Sequence, residues 1–306
     1  MKKVTFLFIA ICFCTGVSAQ DTISKIVAKH EFVPDTVKPW LVSGMFTLNF
    51  NQAYFENWSA GGDNALGLNS LLNLKADYKK GKFSWMNNLD LAYGLQLNSV
   101  GSSEQQFRKT DDKIDLTTSF GYQIGPKWDL SFLANFKTQF SAGYKYPDDS
   151  TKISNFMAPG YLIAGIGFTY KPSPWFSLFL SPLSERLTFV LDKTLSDQGA
   201  FGVDSSKTIK NELGAYIRAT LNKDITKSIN ITSTLDLYTN YLKDFGNIDV
   251  NWNLLIILKV NKFLATTINT QLIYDNDVQI TDSNGKTGPR TQFRENIGVG
   301  ISYKIH

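Results

Sequence analysis

Two histidines and two cysteines are the only side chains among 306 residues suited to general-base or thiolate chemistry near neutral pH. His30 sits in an aperiodic stretch near the start of the chain, and His306 is its last residue. Cys12 and Cys14 lie inside an apolar run that reads as an export signal, so the mature chain carries no disulfide, thiolate metal site or cysteine nucleophile. The adjacent acids Asp111/Asp112 and Asp148/Asp149 could serve an acid-based hydrolase on surface loops, but in hydrophilic sequence they read as solvated turn residues. Asp275, Asp277, Asp282 and Asn284 offer oxygen ligands to calcium, yet their spacing misses the D-x-D-x-D-G pattern, and Ser283-Asn284-Gly285 is good turn sequence. Gly61-Gly62 lacks the lysine-serine follow-up of a phosphate loop. A tight turn or close docking of Trp58 accounts for that pair. The sequence therefore names no catalytic, cofactor-binding or metal-binding residue, and it reads as a non-enzyme.

The elements around these residues are more informative. Met1-Lys2-Lys3, the apolar run Val4 to Cys14 and Val17-Ser18-Ala19 have the layout of a secretory signal peptide (1–19) cut between Ala19 and Gln20. Residues 20–39 lack periodicity, contain Pro34 and Pro39, and read as a flexible periplasmic arm. Removing Lys2 and Lys3 leaves 29 basic against 27 acidic residues, scattered along the chain, which gives no nucleic-acid footprint.

From Trp40 onward, hydrophobicity alternates with period two in twelve long segments. In one, Leu66, Leu68, Leu72, Leu74 and Tyr78 alternate with Asn69, Asn73, Lys75 and Asp77. In another, Trp128, Leu130, Phe132 and Phe136 alternate with Asp129, Asn135 and Lys137. The segments run to a dozen residues or more, beyond the roughly 5–6 of an average strand in a soluble sandwich. Short connections alternate with long ones. The short set is Lys80-Gly81-Lys82, Gly125-Pro126, Pro172-Ser173-Pro174, Asn222-Lys223-Asp224 and Asn261-Lys262; the long set is 51–64, 99–108, 141–155, 192–209, 242–247 and 275–290. Such a pattern describes an all-β chain whose residues 40–306 form a transmembrane antiparallel β-barrel of about 12 strands, of the outer-membrane type. Pro182 cannot donate to a ladder, so segment 175–191 is read as one strand with a bulge near Ser181-Pro182.

Three residue sets follow from this plan. Tyr78, Trp85, Tyr122, Trp128, Tyr170, Trp175 and Tyr303 all fall beside short turns or the C-terminus and read as an aromatic girdle at the periplasmic interface. Asn296, Gly298, Ile301, Tyr303 and Ile305 resemble the C-terminal signal read by the outer-membrane assembly machinery, although His306 replaces its terminal aromatic. The lumen row is Asn69, Lys75, Asp77, Asp90, Lys113, Asp115, Asp129, Lys137, Glu212, Arg218, Asp236, Asp249 and Arg294. Its mixed signs argue against strong ion selectivity.

Phe50-Asn51-Gln52 followed by Asn57-Trp58-Ser59-Ala60-Gly61-Gly62-Asp63-Asn64 is distinctive, as are Ser181-Pro182-Leu183-Ser184, Leu187 to Asp192 and Gly199-Ala200-Phe201-Gly202-Val203. Together these resemble a family of Bacteroidetes outer-membrane proteins classified only as a domain of unknown function. The resemblance implies a barrel and an outer-membrane address, and it brings no catalytic residues. Asn57, Trp58, Gly61, Gly62, Asp63 and Asn64 form a loop motif suited to partner contact.

The expectation is a porin-like protein of a Gram-negative outer membrane, with both termini periplasmic. Its partners are outer-membrane lipid, the assembly machinery during biogenesis and a small polar solute in a narrow pore, with no nucleic acid and no cofactor. The alternative is a non-conducting scaffold whose loops or arm bind a partner. The sequence leaves open which solute or partner is bound, and whether the lumen is open or plugged by the arm.

Overall fold

A computed structural model describes residues 39–54, 64–98, 106–145, 150–243, 245–261, 263–281 and 285–305. The signal, most of the arm, Asn57 to Asp63, Asp148/Asp149, Asp282, Asn284 and both histidines lie outside the described residues.

Period-two patterning becomes strand wherever it was read. β1 (Trp40–Ala53), β2 (Ala65–Lys80), β3 (Phe83–Asn98), β4 (Gln106–Gly125) and β5 (Trp128–Thr138) come first. A small hairpin of β6 (Gly143–Tyr144) and β7 (Lys152–Ser154) precedes β8 (Gly160–Ser173) and β9 (Phe176–Phe189). A five-residue helix, α1 (Lys193–Asp197), and a 3-10 turn at Ala200–Gly202 fill the next loop. Then come β10 (Ile209–Thr226), β11 (Ile229–Asn240), β12 (Asp249–Lys259) and β13 (Leu264–Tyr274). A second hairpin, β14 (Gln279–Thr281) with β15 (Thr287–Pro289), leads to β16 (Gln292–Ile305).

Twelve of these strands close into one antiparallel barrel, in the order β1-β16-β13-β12-β11-β10-β9-β8-β5-β4-β3-β2. The two small hairpins stand apart as loop structure. Barrel strands run from 11 residues in β5 to 20 in β4, enough for a tilted crossing of roughly 9–11 residues.

The two faces are inverted relative to a water-soluble protein. Leu68, Leu116, Phe132, Ile166, Leu183, Ile217, Trp252 and Ile297 are exposed on the outside. Asn69, Ser131, Asn135, Thr169, Arg218, Asp236 and Thr267, on the alternate positions, are buried inside. An apolar belt around a polar interior suits hydrocarbon outside and polar chemistry within.

At the short-turn end, Trp40, Tyr78, Trp85 and Phe120 form a chain of rings with centroids 5.2, 5.3 and 5.1 Å apart. Trp128 meets Tyr170 at 4.7 Å, and the Lys223 ammonium lies 4.5 Å above the Trp175 ring. Tyr122 stands opposite Phe83, and Tyr303 opposite Phe46.

Segment 175–191 is a single strand. Gly214 pairs with Ser184 and Tyr216 with Ser181, so Pro182 and Leu183 together oppose Ala215. Two details depart from the sequence reading. The turn after β10 is Lys227-Ser228 rather than Asn222-Lys223-Asp224, which continue the ladder with Asp224 opposite Asn230. Turn-forming residue types were outweighed there by a partner strand already in register. Asp111 and Asp112 lie within β4 rather than in a solvated turn.

Candidate functional site in the barrel lumen

The inward residues do not stand apart as they would around an open bore. Asp236 of β11 is the most connected. Its Oδ1 accepts from Tyr216 Oη at 2.6 Å and Arg218 Nε at 2.6 Å; its Oδ2 accepts from Arg218 Nη2 at 3.1 Å and Lys137 Nζ at 2.8 Å. Lys137 belongs to β5, four strand steps from β11 around the wall. Arg218 Nη1 also donates to Thr117 Oγ1 on β4 at 2.9 Å, and Asn135 Nδ2 reaches the same hydroxyl at 2.9 Å and Asp115 Oδ1 at 2.6 Å. The Lys137–Asp236 and Arg218–Thr117 bonds are chords through the lumen, drawn between strands that share no ladder, and the others tie neighbouring strands to them. Beside them Leu133, Phe179, Tyr216 and Tyr238 form a buried apolar cluster, with Ile163 packed against it.

Two more connections lie towards the long loops. Arg294 of β16 pairs with Asp111 of β4, again four steps away, and Asn69 Nδ2 contacts the other Asp111 oxygen at 3.4 Å. Arg186 of β9 donates from Nε to Glu212 at 2.9 Å and from Nη1 to Asp249 at 2.6 Å, with its guanidinium 4.3 Å from the Tyr238 ring centre. Towards the short turns, Asp129 accepts from Lys171 at 2.7 Å. Asp90 and Asp115 stand directly opposite each other, and both find amide donors: Asn73 and Asn88 for Asp90, Asn135 for Asp115. Lys75, Asp77 and Lys113 occupy the same inward rows of β2 and β4.

Asp111 and Asp112 make no acid pair. The first faces the lumen and Arg294, while the second accepts from the Phe140 and Ser141 amides and from Lys109 Nζ at 2.8 Å.

Above the Asp236 chords, on the long-loop side, the lumen opens into a cavity of about 290 Å³. Its floor is Asn135, Lys137 and Asp236; Tyr161, Ile163, Ile273 and Gln292 line its wall. Pro159, Phe201 and Val278, from three different loops, form its roof.

The roof is held by packing and capping. Ala158, Val190, Leu195 and Val203 form a buried cluster against which Ala200 and Phe201 pack. Asp192 caps α1 by accepting from the Leu195 amide at 3.3 Å, and takes Lys152 Nζ at 2.8 Å and Asn155 Nδ2 at 2.9 Å. Those bonds, Lys152 foremost, lower its carboxyl to about 2. Burial alone would raise the Asp277 carboxyl, but Lys210 at 2.6 Å and Lys243 at 3.2 Å hold it below the usual range. For Asp275 the balance goes the other way: burial and the neighbouring Asp249 carboxylate push it up, and Arg186 and the Asp277 amide offset only part of that.

Parity finds most of the lumen row in the sequence and misses Arg186. Inward positions of β9 are odd before the bulge, at Phe179 and Ser181, and even after it, at Ser184, Arg186 and Thr188. Without the bulge placed to the residue, Arg186 reads as outward. Tyr161, Tyr216 and Tyr238 were equally hidden, because aromatic residues are ordinary strand formers. The clue to them is their inward parity. Among the described residues, no three acids, histidines or cysteines cluster as a metal site; Asp277 pairs with Lys210 and Lys243, while Asp275 meets Arg186 at 3.8 Å.

Solved structures similar to this chain share little sequence with it. An outer membrane channel from Pseudomonas putida F1 is 11% identical, with 90% of this chain and 98% of that one covered and a TM-score of 0.38. The translocator domain of the autotransporter NalP from Neisseria meningitidis is 10% identical, covering 86% and 87%, with a TM-score of 0.35. The NanC porin is 8% identical, covering 85% and 98%, with a TM-score of 0.34. No curated protein matches the sequence. Residues 50–144 match the family model described as "Protein of unknown function (DUF3078)".

Proposed function

We propose that this protein is an outer-membrane barrel that forms a narrow, gated passage for small polar solutes. The observation that carries this reading is the lumen itself. Polar side chains line it from the Asp129–Lys171 pair to the loop-side cavity, and side chains alone, the cross-lumen bonds with the packed Leu133, Phe179, Tyr216 and Tyr238 beside them, close it between the two. Rotamer changes at Lys137 and Arg218, with repacking of the side chains beside them, would open it without moving a strand. The apolar belt supports a membrane location. The aromatic rings at one end and the glycine-alternating β16 support insertion by the outer-membrane machinery, with the signal removed, both termini periplasmic and the long loops outside.

A second reading, a non-conducting scaffold that binds through its loops or arm, draws support from the same chords, because an interior cross-linked by hydrogen bonds also stabilises a closed barrel. An enzyme is disfavoured: four of the described loop acids, Asp192, Asp197, Asp204 and Asp277, are engaged by lysines, and the described residues hold no histidine to serve as a base beside Asp275.

Single-channel recording of the mature protein in planar bilayers separates the readings, beside a version lacking residues 20–38. A gated passage gives long closed dwells with discrete openings, and Lys137→Met raises the open fraction. Current only after the deletion makes the arm a plug. Silence from all three proteins refutes the passage and leaves the scaffold.

A further inference from the structure

The loop-side cavity has chemistry that the closed waist does not require. Around it stand four carboxylates, Glu212, Asp249, Asp275 and Asp277, against the cations Arg186, Lys210 and Lys243. Arg186 and Lys210 are committed at 2.6–3.1 Å to Glu212, Asp249 and Asp277, and Lys243 lies outside as an exposed side chain at 3.2 Å from Asp277. Asp275 is left over. Its Oδ1 accepts the Asp277 amide at 2.8 Å, while its Oδ2 meets Arg186 Nη1 only at 3.8 Å, beyond hydrogen-bonding range. Its side chain is 16% exposed, so water does little to repay that charge.

Two hydroxyls in the same wall are also unspent. Tyr238 is 5% exposed and its Oη has no hydrogen-bond partner. Tyr161 lines the cavity, and among the described residues its hydroxyl makes no hydrogen bond. Ile163, Ile273, Phe201 and Val278 give the cavity an apolar side, beside the polar Asn251 and Gln292. At about 290 Å³ the space lies at the lower end of ligand pockets, roughly 300–1,000 Å³.

We propose that this cavity is a binding site for a small amphipathic organic cation, a primary amine with a compact hydrocarbon or aromatic body. The ammonium donates to Asp275 Oδ2 and to the Tyr161 oxygen, and the body packs against Ile163, Ile273 and Phe201. An anion is disfavoured because the nearby cations Arg186, Lys210 and Lys137 are already paired, and its charge would add to that of Asp275, which Arg186 meets only at 3.8 Å. A wholly apolar guest would bury Asp275 without satisfying it. This assignment names the solute class for the passage proposed above, and so builds on that reading, but it is tested at equilibrium where conduction plays no part.

Calorimetry on the refolded mature barrel in detergent, at neutral pH, supplies the test. The probes are butylamine, 2-phenylethylamine and tryptamine, with 3-phenylpropanol and 3-phenylpropionate as neutral and anionic counterparts. At least one amine binds, and binds more tightly than the alcohol or the acid. Asp275→Asn weakens that amine by about tenfold or more, the scale of a hydrogen bond to a charged group. It leaves alcohol binding little changed. Ile163→Trp fills the space and abolishes binding, while heat-modifiable gel mobility reports that each variant remains a folded barrel. Equal affinity for amine and alcohol, or an Asp275→Asn variant that keeps wild-type amine affinity, overturns the proposal. So does a folded barrel that binds none of the amines. Amine binding by an electrically silent barrel would uphold the site and sink the passage.

Discussion

Asp236 has four hydrogen-bond donors on its two oxygens, from Tyr216, Arg218 and Lys137, and it sits where the lumen is most crowded. Burying that carboxylate is tolerable only because the donors replace water, and burying Arg218 is tolerable only because the carboxylate is there. Removing one partner is therefore worse than removing the set. Asp236→Ala leaves two cations facing an apolar cluster and is expected to cost about 3–5 kcal/mol, read as a lower urea midpoint for the refolded barrel. The triple change Asp236→Leu, Arg218→Met and Lys137→Met recovers most of that loss, since apolar substitutes of similar volume need no solvation. A triple variant as stable as the wild type would mean that the network contributes no net stability and serves only to close the bore; one as unstable as Asp236→Ala would overturn the desolvation argument.

At the scale of elements, the bulge in β9 determines which side chains reach the site. It exists because Pro182 supplies no ladder donor, and it persists because hydroxyls satisfy the carbonyls that the ladder loses. Ser181 Oγ donates to Ile166 O at 2.9 Å or Leu183 O at 2.8 Å, and Tyr241 Oη caps Pro182 O at 2.6 Å. Gly167 of β8 lies directly beneath, where an added Cβ would come within 1.9 Å of the Leu180 oxygen. Gly167→Ala must push β8 and β9 apart. Its expected cost, at the upper end of the roughly 1–3 kcal/mol of an overpacked site, is checked by the urea midpoint; a neutral result would mean that the bulge is plastic.

The neighbouring loop responds to acid. Asp192, held at about 2 against an ordinary 3.8, has its carboxyl depressed by folding. Its contribution is full above the ordinary value and is lost as pH falls through the folded one. Hydrogen exchange in residues 192–208, corrected for intrinsic rate, should rise across that window while β10 stays protected. In Asp192→Asn the window disappears.

The sequence and the structure agree where one physical rule governs, and part where two compete. Alternation placed the twelve strands and most of the lumen row, because parity alone sets the face of a residue in an unbroken strand. It lost Arg186 at the bulge. It also misplaced the turn near Asn222, where pairing with β11 outweighed local propensity. Asp275 appeared only as a weighed calcium ligand, since its fold partners are distant in sequence. Arg186 lies 89 residues away along the chain.

Closure of the whole molecule depends on its first and last strands. β1 pairs with β2 at fourteen positions but with β16 at only seven, Gly44 to Phe50 against Val299 to Ile305. Asn49 reinforces this seam from inside: its Nδ2 passes over β16 and donates to Thr267 Oγ1 of β13 at 3.0 Å. Gly298 and Gly300 make that reach possible, because added Cβ atoms there would come within 2.8 Å of Asn49 Cβ and 2.1 Å of Leu48 O. A short seam held by one side-chain clasp is the part of the wall best able to part sideways, so a solute has two conceivable exits: along the axis or through the seam. Thr47 and Ser302 stand opposite each other across it, at the separation of about 4.5–5.5 Å that a disulfide tolerates. In a protein starting at Gln20, which contains no other cysteine, Thr47→Cys with Ser302→Cys forms one bridge. Oxidised, it should raise stability by about 5 kcal/mol in the chain-entropy account, visible as a higher temperature for the gel-mobility shift. It should leave conductance unchanged if the path runs through the Asp236 waist. Current that vanishes on oxidation and returns on reduction would move the path from the waist to the seam.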